Sequence, residues 1–576
     1  MQVPDRGQPH PVPEPPTLHI HGRHQLQNGR NGRSFHPISP SCAIRADGQQ
    51  VIATSIDDSH REDHLRLELS FKMLIGTRPS QRWVVLLVVI PIFLLVVAFH
   101  RIALTSKSPP VPALSPGEIP NFELQLQFWN NFRRVLDSNP PGTDPPKRLK
   151  KTEDVPFDPA GTYVRPDLLL LPETDIRRMR KAHERVVRKV KSDSSGLDLI
   201  YNAGTKGIVT AAGGTYLPSM LISLRLLRET GSRLPVEVFI ASKDEYDGII
   251  CETILPTMNA HCVVLSDLLG PSISNLQHYQ YKAFALLFSS FESVLWLDAD
   301  AFPLHDVADL FQSAPFVQSG LVTWPDFFVP ATSPTFYTIT SQPIPPLHLR
   351  PATDGAHLLI SKKTHEKTLL LAAYYNYYGP SHYYRLLSQG ATGEGDKETF
   401  LAAASLLEAP FYAVREPIRP IGHRSTSGKM TTHATVQYSP ADDYQLTSQG
   451  IDRAAKPDPM NPPPLPIPQP MPFFIHSFHP KINPVVIFGT PEDEFDDSPI
   501  WRADGKPTRA WVDDKETVDG LVLGGEDRED GDVEKEFWSQ VRWVACMLED
   551  TGFKAWRRKG DICRRANEWF QGVFEG

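Results

Sequence analysis

The stretch Val294–Pro303, VLWLDADAFP, ends an apolar run in two carboxylates one residue apart. If the run is a strand, its period of two puts Asp298 and Asp300 on the same side. Ligands of open α/β sheets bind beyond the carboxyl ends of strands, so the pair stands where a ligand is expected. Two such acids can hold a divalent cation through oxygen. That ion can bridge a nucleotide diphosphate and neutralise charge developing on a leaving group. Asp-x-Asp alone is usually a polar strand end, and the apolar run ahead of it is what strengthens the signal.

Other residues offer complementary chemistry. Thr210, Ala211, Ala212 and Gly213 close an earlier apolar run, where small side chains let the backbone approach a nucleoside; a plain tight turn reads the same way. Lys282 opens the helical segment ahead of the acidic pair, and Lys481 stands in a late loop; either can meet a diphosphate as a point charge or be a solvated cation. Asp396 lies in the Gly-rich loop GATGEGDKETF, suited to binding sugar hydroxyls or stabilising an oxocarbenium-like state, and equally to capping a helix. A strand followed by Asp-x-Asp also occurs in haloacid-dehalogenase-like phosphatases. These prefer Thr or Val where this chain has Phe302, and its later Asp442-Asp443 pair falls in polar, Pro-flanked chain, so that reading is set aside.

The elements that must position these groups alternate. GIVTAA, PVEVFIAS, HCVVLS and SVLWLDAD read as strands; LPSMLISLRLLRET and YKAFALLFSSF read as helices. Near-continuously apolar strands alternating with helices predict an α/β core, a mostly parallel sheet covered on both faces. The run PETDIRRMRKAHERVVRKVK predicts a basic helix begun by Pro172, and the last fifty residues turn from acidic to Trp-rich with helical spacing.

The 576-residue chain exceeds one domain, and its net charge of −8 argues against nucleic acid as a partner. Trp83–Phe99, WVVLLVVIPIFLLVVAF, is uncharged and long enough to span a bilayer. Cations concentrate before it (Arg61, Arg66, Lys72, Arg78, Arg82), which predicts a cytosolic N-terminus and a lumenal core. Cys251, Cys262, Cys546 and Cys563 then meet an oxidising compartment, as paired or free thiols, while Cys42 stays cytosolic. No Asn-x-Ser/Thr acceptor follows the span. The expected organisation is a disordered tail (1–82), a transmembrane anchor (83–104), a Pro-rich stem (105–200), a catalytic domain (201–490) and a C-terminal extension packing back on the core (491–576).

Five ordered segments carry a resemblance: Lys206–Ile240, Tyr281–Phe311, TWPDFF at Thr323–Phe328, GDKETF at Gly395–Phe400 and FIHSFHPKINP at Phe474–Pro484. Together they resemble the fungal Golgi α-mannosyltransferases that build and branch mannan. The resemblance implies a GT-A-like fold on a type II single-span anchor in the Golgi membrane, with the catalytic domain lumenal. It further implies a manganese-dependent site for GDP-mannose and retaining α-1,2 or α-1,3 transfer to a glycan or glycoprotein acceptor, with a glycosyltransferase complex as a further partner. Carried over, Asp298 and Asp300 become metal ligands, joined by His476 with His479 in reserve. Asp354 and Asp396 become catalytic residues; Thr210 to Gly213, Lys282 and Lys481 line the donor site. One departure stands out. Where the family has an acidic residue, Ser, Gly and Gln before an apolar strand, this chain has Thr353-Asp354-Gly355-Ala356-His357, which bears on sugar specificity. A transferase using a UDP-sugar and a catalytically silent scaffold are the competing readings.

Overall fold

The computed structural model describes residues 119–424, 430–451, 453, 468–478, 482–488, 500–501, 506–511, 532–556 and 560–576. The expected tail and anchor, and with them Lys481 and His479, lie outside the described residues. Among the described residues no helix is long and apolar enough to cross a membrane.

Seven strands form the main sheet: β1 (Asn202–Ala211), β2 (Val236–Ile240), β3 (Ala260–Val264), β4 (Phe291–Leu297), β6 (Leu321–Pro325), β7 (Thr353–Ser361) and β8 (Tyr412–Ala413). Their order is β8-β6-β7-β4-β1-β2-β3. The sheet is mixed: β1, β2, β3 and β4 run parallel, whereas β7 is antiparallel to both β4 and β6. A second, antiparallel sheet has the order β9-β10-β11-β5, from β5 (Ala301–Pro303), β9 (Arg419–Arg424), β10 (Met430–Tyr438) and β11 (Pro472–Ser477). The chain leaves β4, turns through Asp298–Asp300 and enters β5, so the two acids sit where one sheet hands over to the other.

Both faces of the main sheet are covered, and strand alternation divides its side chains between two cores. Val209, Val294 and Trp296 point to one core; Ile208, Leu295 and Leu297 point to the other. The first is filled by α4 (Gln280–Phe288) and α5 (Lys362–Tyr377), with Phe284, Phe288, Tyr374 and Tyr375 all buried. Chain read as stem also enters this core. Helix α1 (Phe122–Asp137) buries Phe128, Trp129 and Phe132, and the basic helix α2 (Glu173–Lys191) buries Met179, Val186 and Val190. Its cations occupy only the outer face, because apolar residues recur at helical spacing between them. Each such buried side chain contributes about 2–3 kcal/mol by leaving water.

The second core is closed by α3 (Leu217–Glu229) and by the C-terminal helices α7 (Val533–Asp550) and α8 (Ile562–Phe574), which insert Phe537, Trp538 and Trp569. A disulfide joins Cys546 to Cys563 across these last two helices, and another joins Cys251 to Cys262. Helix α6 (Thr399–Leu406) follows the Gly-rich loop.

Candidate active site

Three chain segments converge at the end of β4. Strand β4 stops at Leu297, so it is the following turn, closed by Ala301 N–H donating to the Asp298 carbonyl at 3.0 Å, that aims both acids; strand alternation does not. Trp296 Nε1 donates to Asp298 Oδ1 at 2.7 Å. Strand β11 pairs with β5 so that His476 stands opposite Ala301, and Ser477 N donates to the Asp300 carbonyl at 3.0 Å. That register sets His476 Nε2 3.4 Å from Asp300 Oδ1, longer than an ordinary hydrogen bond. Asp298, Asp300 and His476 each offer one ligand atom, all within 4.8 Å of one another.

These three groups fit a divalent cation. Asp300 is buried, and a carboxylate so placed is costly without a cation or donors. Burial opposes protonation of His476, but Asp300, Asp354 and Asp298 around it outweigh burial and raise its pKa. The site is thus electron-rich, with hard oxygens and one imidazole, a donor set suited to an ion of the manganese or zinc kind.

Beside the triad lies a second charged group. Lys282 on α4 is buried; its Nζ contacts Asp396 Oδ2 at 2.7 Å and Asp298 Oδ1 at 3.8 Å, and donates to the Gly355 carbonyl at 2.5 Å. Burial works against its charge, but Asp396 and Asp298 prevail and raise its pKa. The loop reaches Lys282 because Gly395 passes flat along the Tyr279 ring, where an added Cβ would lie 2.9 Å from Cγ. Asp396 does not cap α6 with its side chain. Its carbonyl takes that part, accepting from Thr399 N at 2.8 Å and Thr399 Oγ1 at 2.6 Å.

Asp354, the second residue of β7, lies beside these groups. Gln437 Nε2 on β10 donates to its Oδ2 at 2.9 Å, and Ala356 N–H to its Oδ1 at 3.0 Å. Burial alone would raise it; the adjacent His357 imidazole, the charge of His476 and the Ala356 N–H hold the carboxyl well below the usual carboxylate range. His357 is itself clamped between Trp324 and Phe474. An amide thus reaches Asp354 from Gln437, some eighty positions later in the chain.

Asp298, Lys282, Asp354, Asp396 and His476 share one cleft of about 1200 Å³. Thr210, Ala211, Ala212 and Gly213 do not line it. Thr210 borders a separate small cavity behind Asp298 and Ala299, and Gly213 is closely approached by the Glu245 side chain. Sequence reasoning also missed Gln437, Asp326 and Phe157. Asp326 pairs with Lys397 at 2.7 Å on the cleft wall, and the TWPDFF segment was the one signal pointing to it. The Asp442-Asp443 pair lies elsewhere: Asp443 accepts from Tyr412 Oη and from the Arg415 and Glu416 amides, a structural anchor.

Comparison with known proteins gives the family. The family described as "Mannosyltransferase putative" matches residues 205–349 and 346–449. Alpha-1,2-mannosyltransferase MNN2 of Candida albicans is 30% identical over 401 residues, covering 60% of this chain and 67% of that protein. MNN21 of the same organism is 40% identical over 306 residues (45% of this chain, 46% of the relative), and MNN5 of Saccharomyces cerevisiae is 35% identical over 263 (37% and 45%). The chain belongs to this fungal mannosyltransferase family. It spans about half the length of several curated relatives it matches, 46% of MNN21 and 45% of MNN5. Two solved glycosyltransferases, GlyE of Streptococcus pneumoniae and the galactosyltransferase LgtC, align at TM-scores of 0.26 and 0.25 with 14% and 15% identity. They cover 37% and 36% of this chain, and 45% and 73% of theirs. Scores this low leave the fold to be described by the sheet order above.

Proposed function

We propose that this chain is a Golgi α-mannosyltransferase, GT-A-like in fold, that transfers mannose from GDP-mannose to a mannan-type glycan, retaining the anomeric configuration. The observation that carries the reading is the convergence of Asp298, Asp300 and His476, in a member of this family, with Asp298 and His476 lining one cleft together with Asp354 and Asp396. A divalent metal, manganese by the family resemblance, would be held by Asp298, Asp300 and His476 and would supply neutralising charge to the departing nucleoside diphosphate. The α-1,2 linkage follows the names of the relatives.

The chain's own residues account for the rest. Asp354, kept ionised and fixed by Gln437 and Ala356 N–H, places a negative charge where an oxocarbenium-like sugar would need it. Lys282 cancels the charge of Asp396, so the loop carrying that acid stays packed on the floor and presents a polar rim to sugar hydroxyls. Lys282 thereby ties two acids together; its donors are directed at Asp396, Asp298 and the Gly355 carbonyl. Lumenal placement is supported by the anchor-like run Trp83–Phe99 and by two disulfides, which belong to an oxidising compartment.

The test is transfer by the full chain across GDP-mannose, UDP-glucose and UDP-N-acetylglucosamine, with manganese or EDTA, with the product anomer read by NMR. Manganese-dependent α-mannoside formation is expected. Preference for a UDP-sugar would move the chain to another donor, and donor inertness throughout would leave it a scaffold.

A further inference from the structure

The cleft has a wall that none of the catalytic groups requires. Residues 152–165 fall within the stretch, 105–200, read from sequence as a Pro-rich stem. In the structure they are built into the site. Phe157 N donates to the Phe327 carbonyl and Val329 N to the Val155 carbonyl, both at 2.9 Å, and Pro156 bridges Phe328 in antiparallel register. The segment thus adds one more extended stretch alongside the chain leaving β6. Its turn folds around Tyr163, whose ring stacks on Phe157 at 6.4 Å and whose hydroxyl donates to the Asp158 carbonyl at 2.9 Å. Asp154 then ties the segment to the catalytic loop, accepting from Thr392 N at 2.9 Å and Thr392 Oγ1 at 2.6 Å.

The result is a platform of the exposed Pro156 and the half-buried Phe157, Phe327 and Phe328 facing the same cleft as Asp298 and Asp354, with Thr392 and the Asp326–Lys397 pair at its edge. Flat apolar rings next to ion-paired and hydroxyl groups match a pyranose, which has an apolar C–H face and a rim of hydroxyls. In the sheet order β6-β7-β4-β1, the metal-binding turn follows β4 and the platform lies beyond β7, on the side away from β1. A donor whose diphosphate sits at the turn after β4, with its nucleoside directed away from β7, leaves the platform side open to a second sugar.

We infer that the wall formed by Pro156, Phe157, Phe327 and Phe328 is the acceptor subsite, binding the saccharide that receives the transferred sugar. This rests on the donor placement proposed above. The same chain read as stem is, by this account, part of the substrate-recognition surface.

The test compares wild-type full chain with Phe157→Ala, Phe327→Ala and Phe157→Tyr, using α-1,2-mannobiose as acceptor and GDP-mannose as donor. Phe157→Ala is expected to raise the acceptor KM about tenfold while donor KM and acceptor-free donor hydrolysis stay within about twofold, and Phe157→Tyr to restore the wild-type value. If Phe157→Ala melts well below the parent, Phe157→Leu, which keeps bulk against Tyr163 without a flat face, carries the same comparison. Unchanged acceptor KM in both alanine variants overturns the inference. So does a rise confined to the donor KM, which would put the nucleoside on the wall. Saturation-transfer NMR of mannobiose on the same proteins separates the two levels: mannobiose binding lost in Phe157→Ala, without any transfer from GDP-mannose, would sink the donor assignment and leave the acceptor wall standing.

Discussion

Two lysines pack around the same helix, α4, and the contrast between their surroundings separates chemistry from architecture. Lys282, in its first turn, is buried among Asp396, Asp298 and the Gly355 carbonyl, and its pKa is raised. Lys362, at the start of α5, is equally buried but donates to the Leu287 and Ser289 carbonyls at the other end of α4; burial pushes it down to about 7. Lys362 is a helix C-cap supplied from a neighbouring element, where carbonyls and the helix dipole welcome a donor without needing a full charge. Lys282 neutralises a cluster of acids that have no architectural reason to be together. A buried cation among carboxylates on a cleft marks a site; one among carbonyls marks a joint.

The contrast breaks most sharply at the metal-binding turn. Asp300→Asn should lower manganese-dependent transfer by a factor of about a thousand, because the change removes a negative charge from the triad while nearly preserving shape. Transfer, manganese-induced thermal shift and the metal-free melting temperature are to be read on one preparation. Near-normal transfer with an intact manganese response would end the metal-site assignment.

Next comes Lys282→Met, which strands Asp396 in a buried setting and should cost about 3–5 kcal/mol of stability along with activity. Adding Asp396→Asn should return most of the stability but none of the activity, measured by denaturant unfolding and by transfer. If the double variant stays as unstable as the single one, the ion pair is not what Lys282 provides.

Lys362 gives a smaller effect of distinct sign. Its folded pKa of about 7 lies below the ordinary 10.5, so between these values the unfolded chain binds the extra proton. Stability from this residue therefore rises with pH, by about 2 kcal/mol from about pH 7 to about pH 9. Unfolding of Lys362→Met should lack that rise, and an unaltered pH profile would contradict the C-cap account. The smallest effect belongs to an exposed cation: Arg177→Ala, which breaks only the solvated contact to Glu173 at 3.4 Å on α2, should change stability by about 0.3 kcal/mol. A loss comparable to that of Lys282→Met would mean that exposure does not set the scale.

Much of this site was legible in the chain. The apolar run into Asp298 and Asp300, the α/β alternation and the five ordered motifs are local patterns, written in residue types at spacings of two or three to four, and they follow from backbone geometry alone. Lys282 and Asp396 were each visible as charged residues at element starts, but their partnership was not. Residues 119–200 lacked an obvious core signature because their apolar positions are interleaved with cations, so packing decided their place.

The sequence by itself determined the four strands β1 to β4, the helices α2, α3 and α4, the position of the acidic pair just after β4, and the family to which the chain belongs. Only the tertiary structure decided that His476 faces Asp300, that Gln437 holds Asp354, that Cys251 meets Cys262 and Cys546 meets Cys563, and that Phe157 joins the cleft. The physical reason is range. Hydrophobic period and turn chemistry act over a few residues, whereas the β5–β11 register and the bridge between Pro156 and Phe328 join residues about 170 apart in the chain, and are selected by the packing of the whole.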